Sequence, residues 1–195
     1  MSIEIEQQGQ MALCTPPLIS QPGRPTHWSK EIQSVIAEAL APSVLQWVEG
    51  NGGEPDLPSI TGDLEFALAR SFGLDGFEIA SELKSSKKWR PDAELVEILD
   101  DARWKQMEAH DRAVTEWVNL YSIKPGFSVG DTVSFESNHD AKGRRIENTW
   151  FTGIIYKIEE TKAQYVIRCA ALGHVPEGQS GPNGVVLAYE KVKAV

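Results

Sequence analysis

Apolar and polar positions alternate at period two in two adjoining stretches of the C-terminal third. In the first, Trp150, Thr152, Ile154, Tyr156 and Ile158 share one face, and Phe151, Ile155 and Lys157 share the other, with Gly153 between them. In the second, Tyr165, Ile167 and Cys169 alternate with Val166 and Arg168. Both are rich in β-branched and aromatic side chains, which suit a pleated, half-buried surface. The polar link from Glu159 to Ala163 has hairpin length, so the pair predicts a β-hairpin. Gly153 inside a strand pattern predicts a bulge or sharp bend. Val133 and Phe135 begin an earlier strand, and a polar loop from Ser137 to Asn148 joins it to the hairpin. Val185 to Tyr189 predicts a later strand, reached through a glycine-rich loop from Ala170 to Gly184, and Val192 to Val195 a short last one.

Upstream the period changes to that of helices. Ser29 is a good N-cap, and Ile32, Val35, Ile36, Ala39 and Leu40 follow at helical spacing. Pro42 is expected to break or kink this helix. Pro55 and Pro58 are expected to hold the next segment extended, with Ser59 or Thr61 opening a second helix over Leu64, Phe66, Ala67, Leu68 and Phe72. Asp75 and Glu78 have capping-box spacing ahead of Phe77, Ile79, Ala80 and Leu83. After Pro91 a stripe of Leu95, Ile98, Leu99, Ala102, Val114, Trp117, Val118 and Tyr121 predicts one long helix from about Asp92 to about Leu120. Its polar middle, Lys105 to Arg112, is where it would bend. Such a helix is the natural spine of a bundle.

These patterns give an α+β chain in three parts: an extended or partly disordered arm over 1–27, a helical bundle over 28–122, and a small β domain over 125–195. The net charge of −9 supports the division. Residues 1–122 carry 10 basic and 20 acidic side chains, and 123–195 carry 9 and 8. An acidic N-terminal part repels nucleic acid, and the C-terminal part does not. Apolar runs fall short of the roughly 20 residues of a membrane helix. Met1 to Gln10 is acidic and polar, unlike a signal peptide. The expectation is a soluble, cytoplasmic protein with no membrane partner. Cys14 and Cys169 make no disulfide framework.

Val129-Gly130-Asp131-Thr132-Val133, a long polar loop, the Gly153-Ile154-Ile155 strand paired with Tyr165 to Cys169, a second loop and a closing Glu190-Lys191-Val192 together resemble an SH3-like small β-barrel of the Tudor or KOW kind. The resemblance covers roughly Pro125 to Val195. It implies a binding role, since such barrels bind peptides, nucleic acids or larger assemblies. Fold alone does not fix function.

Candidate chemistry is sparse. His27, His110, His139 and His174 have no metal-ligand spacing, and neither CxxC nor HExxH occurs. Ser137, His139 and Asp140 are the residue types of a hydrolase triad, but near neighbours on one loop rarely place the base between nucleophile and orienter. Glu94, Glu97, Asp100, Asp101 and Glu108 spread round a polar helix face. Lys84, Lys87, Lys88 and Arg90 beside Trp89 read as a basic helix end. No catalytic residue, metal or cofactor is predicted.

The candidate binding residues are Lys142, Arg144 and Arg145, on the loop between the first two strands, with Trp150, Phe151 and Tyr156 nearby. Arginine offers a planar fork of donors for carboxylate or phosphate. Basic and aromatic groups on one surface bind single-stranded nucleic acid or an acidic or aromatic protein segment equally well. The pattern leaves Trp150 open between this surface and the barrel core. The favoured reading is a non-enzymatic interaction or regulatory adaptor protein with a protein partner. A nucleic-acid-associated regulator is the alternative. A further one is an inhibitor, of the kind a mobile element encodes, whose acidic helices occupy a nucleic-acid-binding surface.

Overall fold

The computed structural model describes residues 23–54, 56–71, 73–140, 142, 144–173 and 184–195. The N-terminal part holds helices α1 (Lys30–Gly50), α2 (Leu57–Leu68), α3 (Gly76–Lys87), α4 (Ala93–Asp100) and α5 (Ala102–Tyr121). The C-terminal part is one antiparallel sheet of β1 (Thr132–His139), β2 (Arg145–Glu159), β3 (Gln164–Arg168), β4 (Val185–Ala188) and β5 (Val192–Ala194). The chain is thus α+β, helices first and sheet second. Among the described residues no helix is long and apolar enough to cross a membrane.

Local chemistry accounts for most helix ends. Ser29 accepts the Ile32 N–H, Asp75 accepts the Glu78 N–H at 2.7 Å, and Asp92 accepts the Leu95 N–H at 3.0 Å. Only half of the expected capping box forms, because the Glu78 carboxylate accepts from Gly73 instead. The helical core is built on Ile36, Leu64, Leu68, Ile79, Leu83, Leu95 and Leu99, all fully buried. Each such side chain contributes about 1.5–3 kcal/mol of burial, which far exceeds helix propensity as the source of order.

Four helix expectations are corrected. Pro42 lies inside α1, which runs through it unbroken. Its missing N–H frees only the carbonyl of Glu38, and both residues face solvent while Ile36, Leu40 and Val44 stay packed. α2 begins at Leu57, not at Ser59 or Thr61, and takes Pro58 into its first turn, where proline costs no helical bond. Phe77 is 73% exposed, because Gly76 abuts α4 and donates its N–H to Asp100 at 2.6 Å, which turns the next side chain outward. Val35 and Ala39 are likewise exposed, while Ala37, Ala41 and Val44 join the buried face. The long helix divides at Asp101 rather than within Lys105 to Arg112. That polar stretch is polar because residues 23–27 lie on it: the Gln106 amide donates to the His27 carbonyl at 2.9 Å. Phe72 and residues 1–22 fall outside the described residues, as does most of the glycine-rich loop.

The strand order is β4-β3-β2-β1-β5. Four strands form a meander, a 3-10 turn over Tyr189–Lys191 follows, and β5 returns to pair with β1. The hairpin forms as expected, with β2 and β3 joined through a turn at Glu160–Lys162. The loop expected over Ser137 to Asn148 is shorter, since pairing continues to His139 opposite Arg145. Phe151, Gly153 and Ile155 form the inward face of β2, and Trp150, Thr152 and Ile154 the outward one. Between Ile155 and Lys157 the register shifts, which brings Ile158 opposite the buried Tyr165 and against the sheet core. The irregularity therefore sits beyond Gly153. Gly153 itself is a close approach: a Cβ there would lie 2.6 Å from Ile167 Cγ2 and 2.7 Å from the Arg168 carbonyl oxygen.

A third apolar cluster joins the two parts. Val114, Val118 and Ala163 are buried together, with Trp117, Ile123 and Tyr189 packed on them. Lys162 and Asp111 pair across the same joint at 2.7 Å.

Candidate functional site

The sheet carries two separate surfaces, and the residues expected to act together divide between them. Trp150 lies on the outward face of β2 and is 51% exposed. Lys193 of β5 sits over its ring, with Nζ 4.6 Å from the centroid. Around it Glu136, Asn138, Asn148, Leu187 and Lys191 line a cavity of about 420 Å³.

Tyr156 lines a second cavity of the same size, walled by Val129, Gly130, Ile154, Ile155, Arg168 and Ala170. The Arg168 guanidinium stacks on the Tyr156 ring at 3.5 Å. Val129 and Ile154 are 60% and 52% exposed, so two branched apolar side chains stand open at the rim. The wall is pinned by backbone geometry. Gly130, at φ 95°, donates to the Ile155 carbonyl at 2.8 Å, and Ile155 donates back to Asp131 at 3.0 Å. Asp131 closes the turn by accepting the Ser128 N–H at 2.7 Å. Glycine is needed at that φ because a β-carbon strains it.

The other expected residues lie elsewhere. Phe151 faces inward, stacked on Phe135 with centroids 6.1 Å apart, so it belongs to the sheet core. Arg144 serves its own loop: its Nε donates to Asp140 Oδ2 at 2.8 Å, and its guanidinium pairs with the same carboxylate at 2.6 Å. Asp140 also accepts the N–H groups of Lys142 and Arg144. These bonds, the Arg144 side chain first, hold the Asp140 carboxyl below its ordinary pKa. Lys142 is exposed in the turn, and Arg145 begins β2 beside it. Ser137 and His139 form no triad, since the Ser137 hydroxyl bonds to the His139 backbone.

Sequence reasoning missed Val129, Ile154, Arg168 and Lys193 as surface partners. A visible signal existed for Ile154, whose face alternates with the Phe151–Ile155 face; choosing the inward face needed the partner strands. No group of three or more His, Cys, Asp or Glu side chains converges on a metal site among the described residues.

No protein-family model matches the chain. No curated protein matches it, and no solved structure does.

Proposed function

We propose that the chain is a non-enzymatic interaction protein whose C-terminal sheet is an SH3-like small barrel, and whose groove at Val129, Ile154 and Tyr156 takes an apolar segment of a partner protein. The four-strand meander, the 3-10 turn before β5 and the return of β5 to β1 support the fold reading. The observation that carries the function is the pair of exposed branched side chains, Val129 and Ile154, at the rim of a cavity that Tyr156 and Ala170 also line. Covering such surface gains about 25 cal/mol per Å². A segment that buries both rims gains on the order of 2–3 kcal/mol there, enough to anchor a weak module–peptide contact. Charge favours protein over polyanion: the chain carries −9 overall, and Arg144 is already engaged by Asp140.

The test is selection from a displayed random-peptide library on the purified full-length protein, with Ile154→Asp as the counter-selecting variant. Wild type should enrich apolar sequences that the variant fails to hold, while circular dichroism of the two stays the same. Equal enrichment on both proteins would sink the reading.

A nucleic-acid-associated role is the second reading, carried by the Lys193–Trp150 stack and its Asn138, Asn148 and Lys191 neighbours. It predicts salt-dependent binding of a single-stranded oligonucleotide that Trp150→Ala abolishes. No binding at low salt removes it.

A further inference from the structure

We propose that the helical part carries a binding site for a guanidinium group, in the cleft lined by Trp47 and Trp89. This is independent of the groove on the sheet. The site begins with the end of α1. Gly52, at φ 72°, and Gly53 donate to the carbonyls of Glu49 and Val48 at 3.2 and 2.9 Å, a left-handed reversal that turns the chain back along the helix. A Cβ at Gly53 would lie 2.7 Å from Val48 Cγ1, so the reversal depends on glycine there. It places Glu54 beside Trp47 on the wall of a cavity of about 330 Å³. Asp56 and Asp63, from the start and middle of α2, and Trp89 and Arg90, after α3, complete that wall.

The two indoles are held by their edges. The Trp47 Nε1–H donates to Asp92 at 3.0 Å, and the Trp89 Nε1–H donates to Asp63 at 2.9 Å. Their planes are 6° from parallel with centroids 6.2 Å apart, so both π faces lie along a common direction. An indole face is the best side-chain acceptor for a cation, and a guanidinium stacks flat on it. Three carboxylates, Glu54, Asp56 and Asp63, line the cleft against the single guanidinium of Arg90. Asp63 is shared with Lys87 at 2.8 Å, and Asp56, although at the N-cap of α2, makes no side-chain capping bond. Glu54 and Asp56 thus supply acceptors for a fork of donors.

Three other rings of the chain hold cations of their own. Arg70 and Lys87 lie over Phe66, Arg168 over Tyr156 and Lys193 over Trp150. Among the described residues no Lys or Arg stands over Trp47 or Trp89, although Arg90 is adjacent. The cleft has the chemistry for a cation from outside the chain. An anion is repelled by the carboxylates, and a neutral group forgoes the charge-assisted bonds they offer.

The experiment follows indole N–H signals of the ¹⁵N-labelled full-length protein during titration with N-acetyl-arginine amide, with the neutral isostere N-acetyl-citrulline amide as control. The six tryptophans supply internal references. Saturating shifts confined to Trp47 and Trp89 are expected, at a Kd of about 0.1–1 mM, with citrulline at least about 10-fold weaker. Glu54→Gln/Asp56→Asn should weaken arginine binding about 5-fold or more while the other four indole signals stay in place. A parallel titration with an arginine-containing tripeptide identifies the source. Tighter binding of the tripeptide assigns a protein side chain, and equal binding assigns a free guanidinium compound. No saturation, an equal response to citrulline, or shifts at all six indoles would overturn the proposal.

Discussion

The imidazole of His27 stacks on that of His110, with ring centroids 3.5 Å apart and planes 21° from parallel, although the two residues lie far apart in sequence. His110 is buried, its Nε2 lies 3.3 Å from the Pro25 carbonyl oxygen, and its Nδ1 is 4.0 Å from Asp111. Burial, followed by the neighbouring His27 charge and then Arg24, pushes the His110 pKa below its ordinary value, against the opposing pull of the Pro25 carbonyl and, less, of Asp111. A depressed histidine pKa means that the unfolded chain binds the proton more readily. Stability is therefore full above the unfolded value of about 6.5 and declines as pH falls from there toward the folded value. Urea midpoints measured from pH 5.5 to 8 should drop on the acid side, and His27→Ala should flatten that drop. Identical pH profiles for wild type and variant would exclude the pair as its cause.

Arg24 ties the same segment to the sheet. Its guanidinium donates to the carbonyls of Lys162 at 2.7 Å and Ala163 at 3.1 Å, on the turn between β2 and β3. Ala163 is buried against Val114 and Val118 and holds a positive φ of 47°. A planar fork reaches both carbonyls at once, which a single ammonium does not. Arg24→Ala should cost about 1–2 kcal/mol in denaturant unfolding, with Arg24→Lys intermediate. Hydrogen exchange at 162–163 should speed up in the alanine variant. Unchanged exchange there would mean that the turn is held by its apolar contacts alone.

Period-two alternation identified β2 and β3 because each strand lies half in a core, and that is a local signal. Choosing which face of β2 is buried was not local. Phe151 and Ile155 win over Trp150 and Ile154 because Val133, Phe135, Tyr165 and Ile167 converge on their side. The register shift after Ile155 then carries Ile158 inward, so one strand obeys two face assignments. Arg144 was visible as a cation, but Asp140, four residues earlier, had already taken it. The Trp47–Trp89 and His27–His110 pairs join residues distant in sequence, and no periodicity links such positions. Pro42 misled for a related reason: the proline rule concerns the helix alone, and tertiary packing on the opposite face decided the outcome.

Gly153 offers a sharp test of the sheet crossing. A Cβ at that position would press on Ile167 Cγ2 and on the Arg168 carbonyl, and backbone cannot rotate out of the way. Gly153→Ala should destabilise by about 1–3 kcal/mol, in the range of overpacking. Gly126→Ala, where an added Cβ meets nothing within 4 Å, should stay within about 0.5 kcal/mol of wild type. Comparable losses at both positions would show that the approach at Gly153 relaxes without strain.

Tyr165 links the sheet core to the groove wall. Its ring is fully buried, packed on Tyr189 at 4.4 Å between centroids, and its hydroxyl accepts the Phe127 N–H at 3.1 Å. Phe127 starts the turn that presents Val129 and Gly130 to the groove. Removing the hydroxyl deletes one neutral hydrogen bond and leaves a part-buried donor, so Tyr165→Phe should cost about 1 kcal/mol. The ring contacts survive that change, and the core stays packed. The effect should therefore be local: faster exchange of the Phe127 amide, with the amides of Ile167 and Phe135 unchanged. Peptides selected on the wild-type groove should bind the variant more weakly, because the turn loses its anchor beneath Val129. Weaker binding with unchanged Phe127 exchange would separate the groove from the hydroxyl. Faster exchange with full binding would show that Ile154 alone carries the contact.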